Sequence, residues 1–191
     1  YQESDLAFAQ RLMHEEGLFY FFKHCADAGS RSLGSHTMVI ADHNGAFKPN
    51  AQAAIRFTQP GAVMKEDSID RWRSETRLAT NAIEISSWDY RSLNQRTVSA
   101  ASADAETSVL TSRDTPGIYA FPSMEQGQRI ADNQLQALEV SRQMYVGAGT
   151  VRTLSPGTTF TLDGHARHDN ADSGDGRTFA IIRMVHLMHN N

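Results

Sequence analysis

Cysteine is nearly missing from this chain: Cys25 stands alone among 191 residues. A lone thiol excludes an internal disulfide framework and suits assembly in a reducing cytoplasm. Long hydrophobic runs are missing too. No apolar stretch approaches the roughly 18 residues that span a bilayer, and no secretory signal stands at the N-terminus. No five like charges stand in a row. The formal net charge of −4 and a pI near 6.0 argue against a general nucleic-acid binder, which needs clustered Lys and Arg. Repeats, heptads, a phosphate loop, a nucleophile elbow and a dinucleotide fingerprint are also missing.

What is there is an ordinary globular composition. Hydrophobic residues make up 40% and charged residues 21%, enough to bury a core in one domain or two small ones. The chain begins on Tyr1 instead of Met and stops at Asn191 just after an apolar strand pattern. A fragment of a longer protein is expected.

Ser4 is a good N-cap, and Asp5 stands in the first turn, where the helix dipole favours an anion. Leu6, Phe8, Ala9, Leu12 and Met13 share an arc of roughly 160°, and Gly17 fits the left-handed position that ends helices. Leu18–Lys23 then reads as a buried strand. Asp27–Ser35 is a loop, His36–Ala41 a second strand, Asp42-His43-Asn44-Gly45 a turn, and Ala53–Phe57 a short third strand. Trp72, Ser74, Thr76 and Leu78 fall on one face, Ile83 and Ile85 on one face of the next strand. The two predict an antiparallel pair joined near Asn81. Ser99–Glu106 reads as a crossover, and Pro116-Gly117 as a turn.

Ser123-Met124-Glu125-Gln126 matches the S-x-x-Q capping box. The helix it opens carries Ile130, Ala131, Leu135, Leu138 and Tyr145 on one face, and Gly147 can cap its end. Thr150–Leu154 reads as a strand, Ser155-Pro156-Gly157 as a tight turn, and Thr158–Asp163 as a strand with Phe160 and Leu162 on one face. A polar loop covers His165–Gly176. Arg177–Met188 is apolar on both faces, as a central or interface-lining strand should be. Periodicity alone therefore predicts an α+β fold of helices and antiparallel sheet.

Chemistry is sparse. His165-x-x-His168 and His186-x-x-His189 have short zinc-like spacing, but positions i and i+3 of a strand point to opposite faces, so His186 and His189 cannot chelate together in a regular strand. His14-Glu15-Glu16-Gly17-Leu18 shares only its first two letters with the zinc-protease motif, because Leu18 stands where the second histidine belongs. Glu15 and Glu16 oppose the dipole at a helix C-terminus, which predicts tertiary partners such as an arginine. Asp169-Asn170-Ala171-Asp172-Ser173-Gly174-Asp175 is calcium-like in composition, yet it lacks the EF-hand alternation and the terminal glutamate. Cys25 has only His24 beside it and reads as an idle thiol.

One stretch is more specific than the rest. ESDLAFAQRLMHEEGLFYFFKH, with Glu15-Glu16-Gly17 between a helix and an aromatic strand, closely resembles the hub region of the VgrG (Rhs element Vgr) family, the tip spike of type VI secretion systems. Later segments agree in order. They are Ser87-Trp88-Asp89-Tyr90, Pro116-Gly117-Ile118-Tyr119, the helix with Arg129 and Leu138, Ser155-Pro156-Gly157 leading to Phe160, Leu162 and His165, and finally Val185-His186. The likeness covers nearly the whole chain. Ala166 departs from it, standing where a proline is expected.

The resemblance implies a structural hub with no catalytic site, cofactor or metal. It implies antiparallel β-barrel segments interleaved with an α+β domain, as in a phage baseplate hub. Residues 1–66 and 100–146 would form the α+β part, and 67–99 and 147–191 part of a barrel, with the N-terminal barrel, OB-fold and needle lying outside this chain. In the family the hub is a homotrimer that matches the Hcp tube, carries a PAAR tip protein and effector cargo, assembles in the bacterial cytoplasm and is secreted through the type VI apparatus. Binding to nucleic acid or stable membrane insertion is not expected. Phe179, Ile181, Ile182, Arg183, Met184 and Val185 would lie at a trimer or barrel interface, since ring strands need one face for their own core and one for a neighbour. A hub of a contractile phage tail or tailocin shares this architecture and is the alternative. A zinc-dependent hydrolase using His165, His168, His186 or His189 is a third reading.

Overall fold

A computed structural model describes residues 3–25, 34–59, 66–103, 108–169 and 174–189. The chain forms two compact units, Tyr1–Leu18 with Ser74–Met144 and Phe19–Arg73 with Tyr145–Asn191. These boundaries differ from the partition that the resemblance implies. The structure is mixed α/β and mostly strand, in small antiparallel and mixed sheets of two or three strands. The strands do not close into a barrel among the described residues.

In the first unit, helix α1 (Asp5–Glu15) starts and stops where its local chemistry dictates. The Ser4 hydroxyl accepts the Ala7 N–H at 3.2 Å. At the other end Gly17 adopts φ +72°. Its N–H donates to the His14 carbonyl at 3.1 Å, and the Leu18 N–H donates to that of Met13 at 2.7 Å. This is the paired arrangement that satisfies orphan carbonyls. None of the helix is buried, and Leu6, Phe8 and Leu12 lie exposed.

Strands β5 (Ala82–Asp89) and β6 (Asn94–Ala101) form an antiparallel hairpin, and β7 (Thr111–Ile118) runs parallel to β5 at the edge. Ile83, Ile85, Val98 and Ala100 face Phe121, Ala131 and Leu135, with Ile130 and Leu138 beside them. Helix α2 (Met124–Arg142) supplies four of these residues, and the Ser123 hydroxyl caps it by accepting the Gln126 N–H at 3.2 Å. Its apolar face is the one its 3.6-residue period predicts.

In the second unit, β1 (Phe19–Cys25) pairs antiparallel with β2 (Ser35–Ala41). A second sheet has the order β10 (Thr178–Ala180), β9 (Thr158–Asp163), β3 (Lys48–Arg56), with β3 parallel to β9. Ile55, Ile69, Val151, Phe160, Leu162 and Ile181 form its core. Gly157, at φ +79°, carries the turn before β9, and a Cβ there would stand 2.1 Å from the Phe21 ring.

Several sequence expectations are corrected. β4 (Ile69–Thr76) pairs with β8 (Gln143–Gly149), not with β5. The reason is Trp72, which stacks on Tyr145 with ring centroids 5.5 Å apart; Gly147 lies in β8 against the Trp72 ring and does not cap α2. Tyr145 thus belongs to β8, not to the helix face. Leu18–Lys23 is not buried throughout: of β1, only Phe21 is. Asn44-Gly45 opens a short 3₁₀ turn between strands of different sheets. Leu78 is exposed. Ser99–Ala101 finish β6, and 104–107 lie outside the described residues. Pro116-Gly117 is no turn; it sits inside β7, where a register shift sets Ser86 against two residues. Thr150–Leu154 is irregular, and the loop at His165–Gly176 contains a short helix α3 (Ala166–Asp169) and a 3₁₀ turn at Gly174–Arg177. The long strand expected over Arg177–Met188 is strand only at Thr178–Ala180, with Ile181 still hydrogen-bonded through its backbone to Gly157 and Thr158; beyond Ile181 no described strand lies alongside.

Candidate functional site

His165, His168, His186 and His189 carry the zinc-like spacing. His168 is buried at the centre of an aromatic cluster of Trp72, Tyr145 and Phe179. Its Nε2 lies 3.1 Å from the Trp72 indole nitrogen and its Nδ1 3.0 Å from the Gly176 carbonyl oxygen. An indole N–H only donates and a carbonyl only accepts. The ring is therefore the neutral tautomer with its proton on Nδ1, and both nitrogens are engaged. Burial pushes its pKa below the ordinary imidazole value; the Gly176 carbonyl opposes this, and the neighbouring His165 and Arg167 add to it. His165 packs its ring edge-on to Phe57 at 4.7 Å and lies 5.0 Å from the His168 ring. His186 uses Nε2 on the Leu154 carbonyl at 3.1 Å, and His189 is exposed. Among the described residues no three His, Cys, Asp or Glu side chains converge on a common point.

At the α1 terminus, Glu16 pairs with Arg129 of α2 at 2.6 Å, which holds its carboxyl below the usual carboxylate range. Glu15 instead meets Arg11 one turn back at 3.0 Å, while its carbonyl accepts the Asn133 amide at 3.2 Å. These partners tie the helix end to α2 and leave no acid–base pair. Cys25 is exposed. Asp169 accepts the Gly164 N–H at 3.2 Å, and residues 170–173 of the calcium-like run lie outside the described residues. A groove of about 340 Å³ is lined by Gln52, Ala54, Arg56, Glu66, Asp163 and Gly164; it holds no nucleophile beside a base.

The segments Asp89-Tyr90 and Pro116–Tyr119, distant in sequence, meet at one end of the β6–β5–β7 sheet. The Ser87 hydroxyl donates to the Gly117 carbonyl at 3.0 Å and accepts the Ala120 N–H at 2.8 Å. Asp89 is only 2% exposed. Its carboxylate accepts the Ser92 hydroxyl at 2.7 Å and the Arg91 N–H at 2.9 Å and pairs with Arg96. The Ser92 hydroxyl, then the Arg91 N–H, lower its pKa most, with Arg96 adding to them. Arg96 in turn donates to the Pro122 carbonyl at 2.9 Å. Leu93 and Tyr119 take φ +52° and +54°, a left-handed conformation that costs a non-glycine residue about 1 kcal/mol or more. The parallel pairing of β7 with β5 assembles this cluster.

The C-terminal segment divides differently from its sequence pattern. Ile181 is buried, and Phe179 and Met184 pack against the same core. Ile182, Arg183 and Val185 face outward, and Leu187 and Met188 are 84% and 87% exposed.

Comparison with known proteins gives a match over the whole chain. The family described as phage tail baseplate hub (GPD) matches residues 1–191. The chain is 24% identical over 176 residues to the type VI secretion system spike protein VgrG1a of Pseudomonas aeruginosa, covering 88% of this chain and 26% of that protein. It is 24% identical to VgrG1b of the same organism over the same share of this chain and 22% of that protein. It is 28% identical to VgrG4b over 87% of this chain and 20% of that protein. The chain thus spans about a quarter or less of the length of these relatives.

Proposed function

The chain belongs to the phage tail baseplate hub (GPD) family, and we propose that it is the hub portion of a VgrG-type spike in a type VI secretion system. The match over all 191 residues carries this reading, and similarity to three named spike proteins favours the secretion spike over a phage tail. The role is structural. It needs capped helices and apolar surface for assembly: Ser4 and Ser123 cap α1 and α2, and Ile182, Val185, Leu187 and Met188 are large, apolar and exposed. In the whole protein the hub is a homotrimer seated on the Hcp tube, bearing a PAAR tip and effector cargo, built in the cytoplasm and secreted. Residues 147–191 contribute to its barrel. Of the interface residues suggested by sequence, Ile182, Arg183 and Val185 meet the neighbouring subunit or barrel strand, while Phe179, Ile181 and Met184 hold the core beneath them.

Light scattering on the protein encoded by the complete reading frame tests this. A trimeric mass is expected, and a monomer at high concentration overturns the assembly. Secretion of the tube protein should stop when residues 1–191 are deleted from that frame; undiminished secretion overturns the role.

A further inference from the structure

The sheet end built around Asp89 presents an unusual surface. Trp88 and Ile118 are neighbours across the β5–β7 ladder, on the face opposite Ile83 and Ile85, because strand side chains alternate. Trp88, Tyr90, Leu93 and Ile118 are all exposed. Arg91 lies over the Tyr119 ring at 4.9 Å and near that of Tyr90 at 5.8 Å, and it donates to the Tyr119 hydroxyl at 3.4 Å. The two tyrosine rings are 5.8 Å apart. Trp, Tyr and Arg are the residues that dominate protein–protein binding energy, and rigid aromatics lose little entropy on binding.

The backbone that holds them is over-determined. Leu93 and Tyr119 are the non-glycine residues with left-handed φ among those described, and both belong to this end. Left-handed strain persists only where surrounding structure enforces it, and it gathers at functional sites. Here the enforcing contacts are those of Ser87 and the buried Asp89.

Charge identifies the occupant. The Asp89 oxygens are taken by Ser92, by Arg96 and by the Arg91 backbone, and Arg113 is paired with Glu84. Arg91 therefore offers an exposed cation, its guanidinium over the Tyr119 ring and close to that of Tyr90, at a sheet end that also exposes Trp88, Leu93 and Ile118. Its complement is a carboxylate flanked by apolar side chains. We propose that this sheet end is a docking site for a protein segment carrying an acidic residue between large apolar ones. Asp89 and Ser87 act as positioning residues that hold the aromatic rim and the Arg91 fork in place. The proposal does not depend on the spike assignment.

The test titrates the full 191-residue chain with a 12-residue peptide bearing one glutamate between leucine and phenylalanine, and with its Gln and Lys counterparts. The readout is the Trp88 indole N–H signal in NMR, assigned by its loss in Trp88→Phe. The Glu peptide should shift this signal saturably, at least fivefold more tightly than the Gln peptide. Arg91→Ala should weaken binding at least tenfold with an unchanged melting temperature. Equal binding of the three peptides, no shift at Trp88, or full binding by Arg91→Ala overturns the proposal. A shift seen only on raising the chain's own concentration makes the surface a self-contact, and one seen only with cellohexaose makes it a saccharide platform. Either result also overturns it.

Discussion

The indole N–H of Trp72 donates to Nε2 of His168 across 3.1 Å, and the same imidazole donates from Nδ1 to the Gly176 carbonyl. One ring therefore ties β4 to the turn at Gly174–Arg177 inside an aromatic cluster.

This geometry sets a pH dependence. The folded state depresses the His168 pKa, so it binds fewer protons than the unfolded chain just below the ordinary imidazole value of about 6.5. The contribution is fully present above that value and is lost as pH falls toward the folded pKa. Urea denaturation of the second unit should show stability falling below about pH 6.5. His168→Gln should lower stability at pH 8 by about 1–3 kcal/mol through its lost hydrogen bonds and flatten that slope. An unchanged slope in the variant refutes the assignment.

Gly157 is irreplaceable for two independent reasons, its φ of +79° and the Phe21 ring where a Cβ would stand. Gly157→Ala should destabilise by about 2 kcal/mol or more. Thermal melting checks this, and Gly117→Ala, which meets no atom within 4 Å, separates left-handed strain alone from strain plus clash.

Asp89 is ionised, buried and paired. Its folded pKa is depressed, chiefly by Ser92, so its contribution is present above the unfolded value of about 3.9 and is lost as pH falls below it. Asp89→Asn should lower stability at neutral pH, and the gap to the parent chain should close in acid. A pH-independent gap would mean that shape, not charge, holds the turn.

Exposed Ile182 and Val185 carry no core packing. Ile182→Glu with Val185→Glu should leave the melting temperature of this chain unchanged, since surface substitutions lie within about 0.5 kcal/mol. The same pair should disperse the trimer expected of the complete protein, read by sedimentation velocity. Leu135→Ala, in the first core, should by contrast cost about 2–4 kcal/mol.

Much of the first unit was legible. Ser4, Gly17 and Ser123 are cap residues whose hydrogen bonds close within a few positions, and the apolar face of α2 follows from its period. The tight turn at Gly157 was legible for the same reason, and alternation put Phe160 and Leu162, both buried, on one face. Glu16 announced an arginine partner through its clash with the helix dipole, and Arg129 is that partner. The pairing of β4 with β8 was not legible, because a strand's alternation names its faces but not its neighbour. Nor was the His168 environment, since its three aromatic neighbours come from positions 72, 145 and 179.

The Arg177–Met188 run shows where the division lies. Its alternation is a property of the sequence and marks the segment as apolar, but strand forms only at Thr178–Ala180. Whether each residue is core or surface depends on which backbone lies alongside, and the tertiary structure places β9 beside Thr178–Ala180 and, through the Ile181 N–H to the Thr158 carbonyl, one residue further. Local hydrogen bonds and periodicity are written in neighbouring residues, and so the sequence by itself determined caps, turns and helix faces. Strand partners, the buried neutral imidazole and the sheet end around Asp89 were decided only by contacts between distant segments, whose free energy no short window of sequence contains.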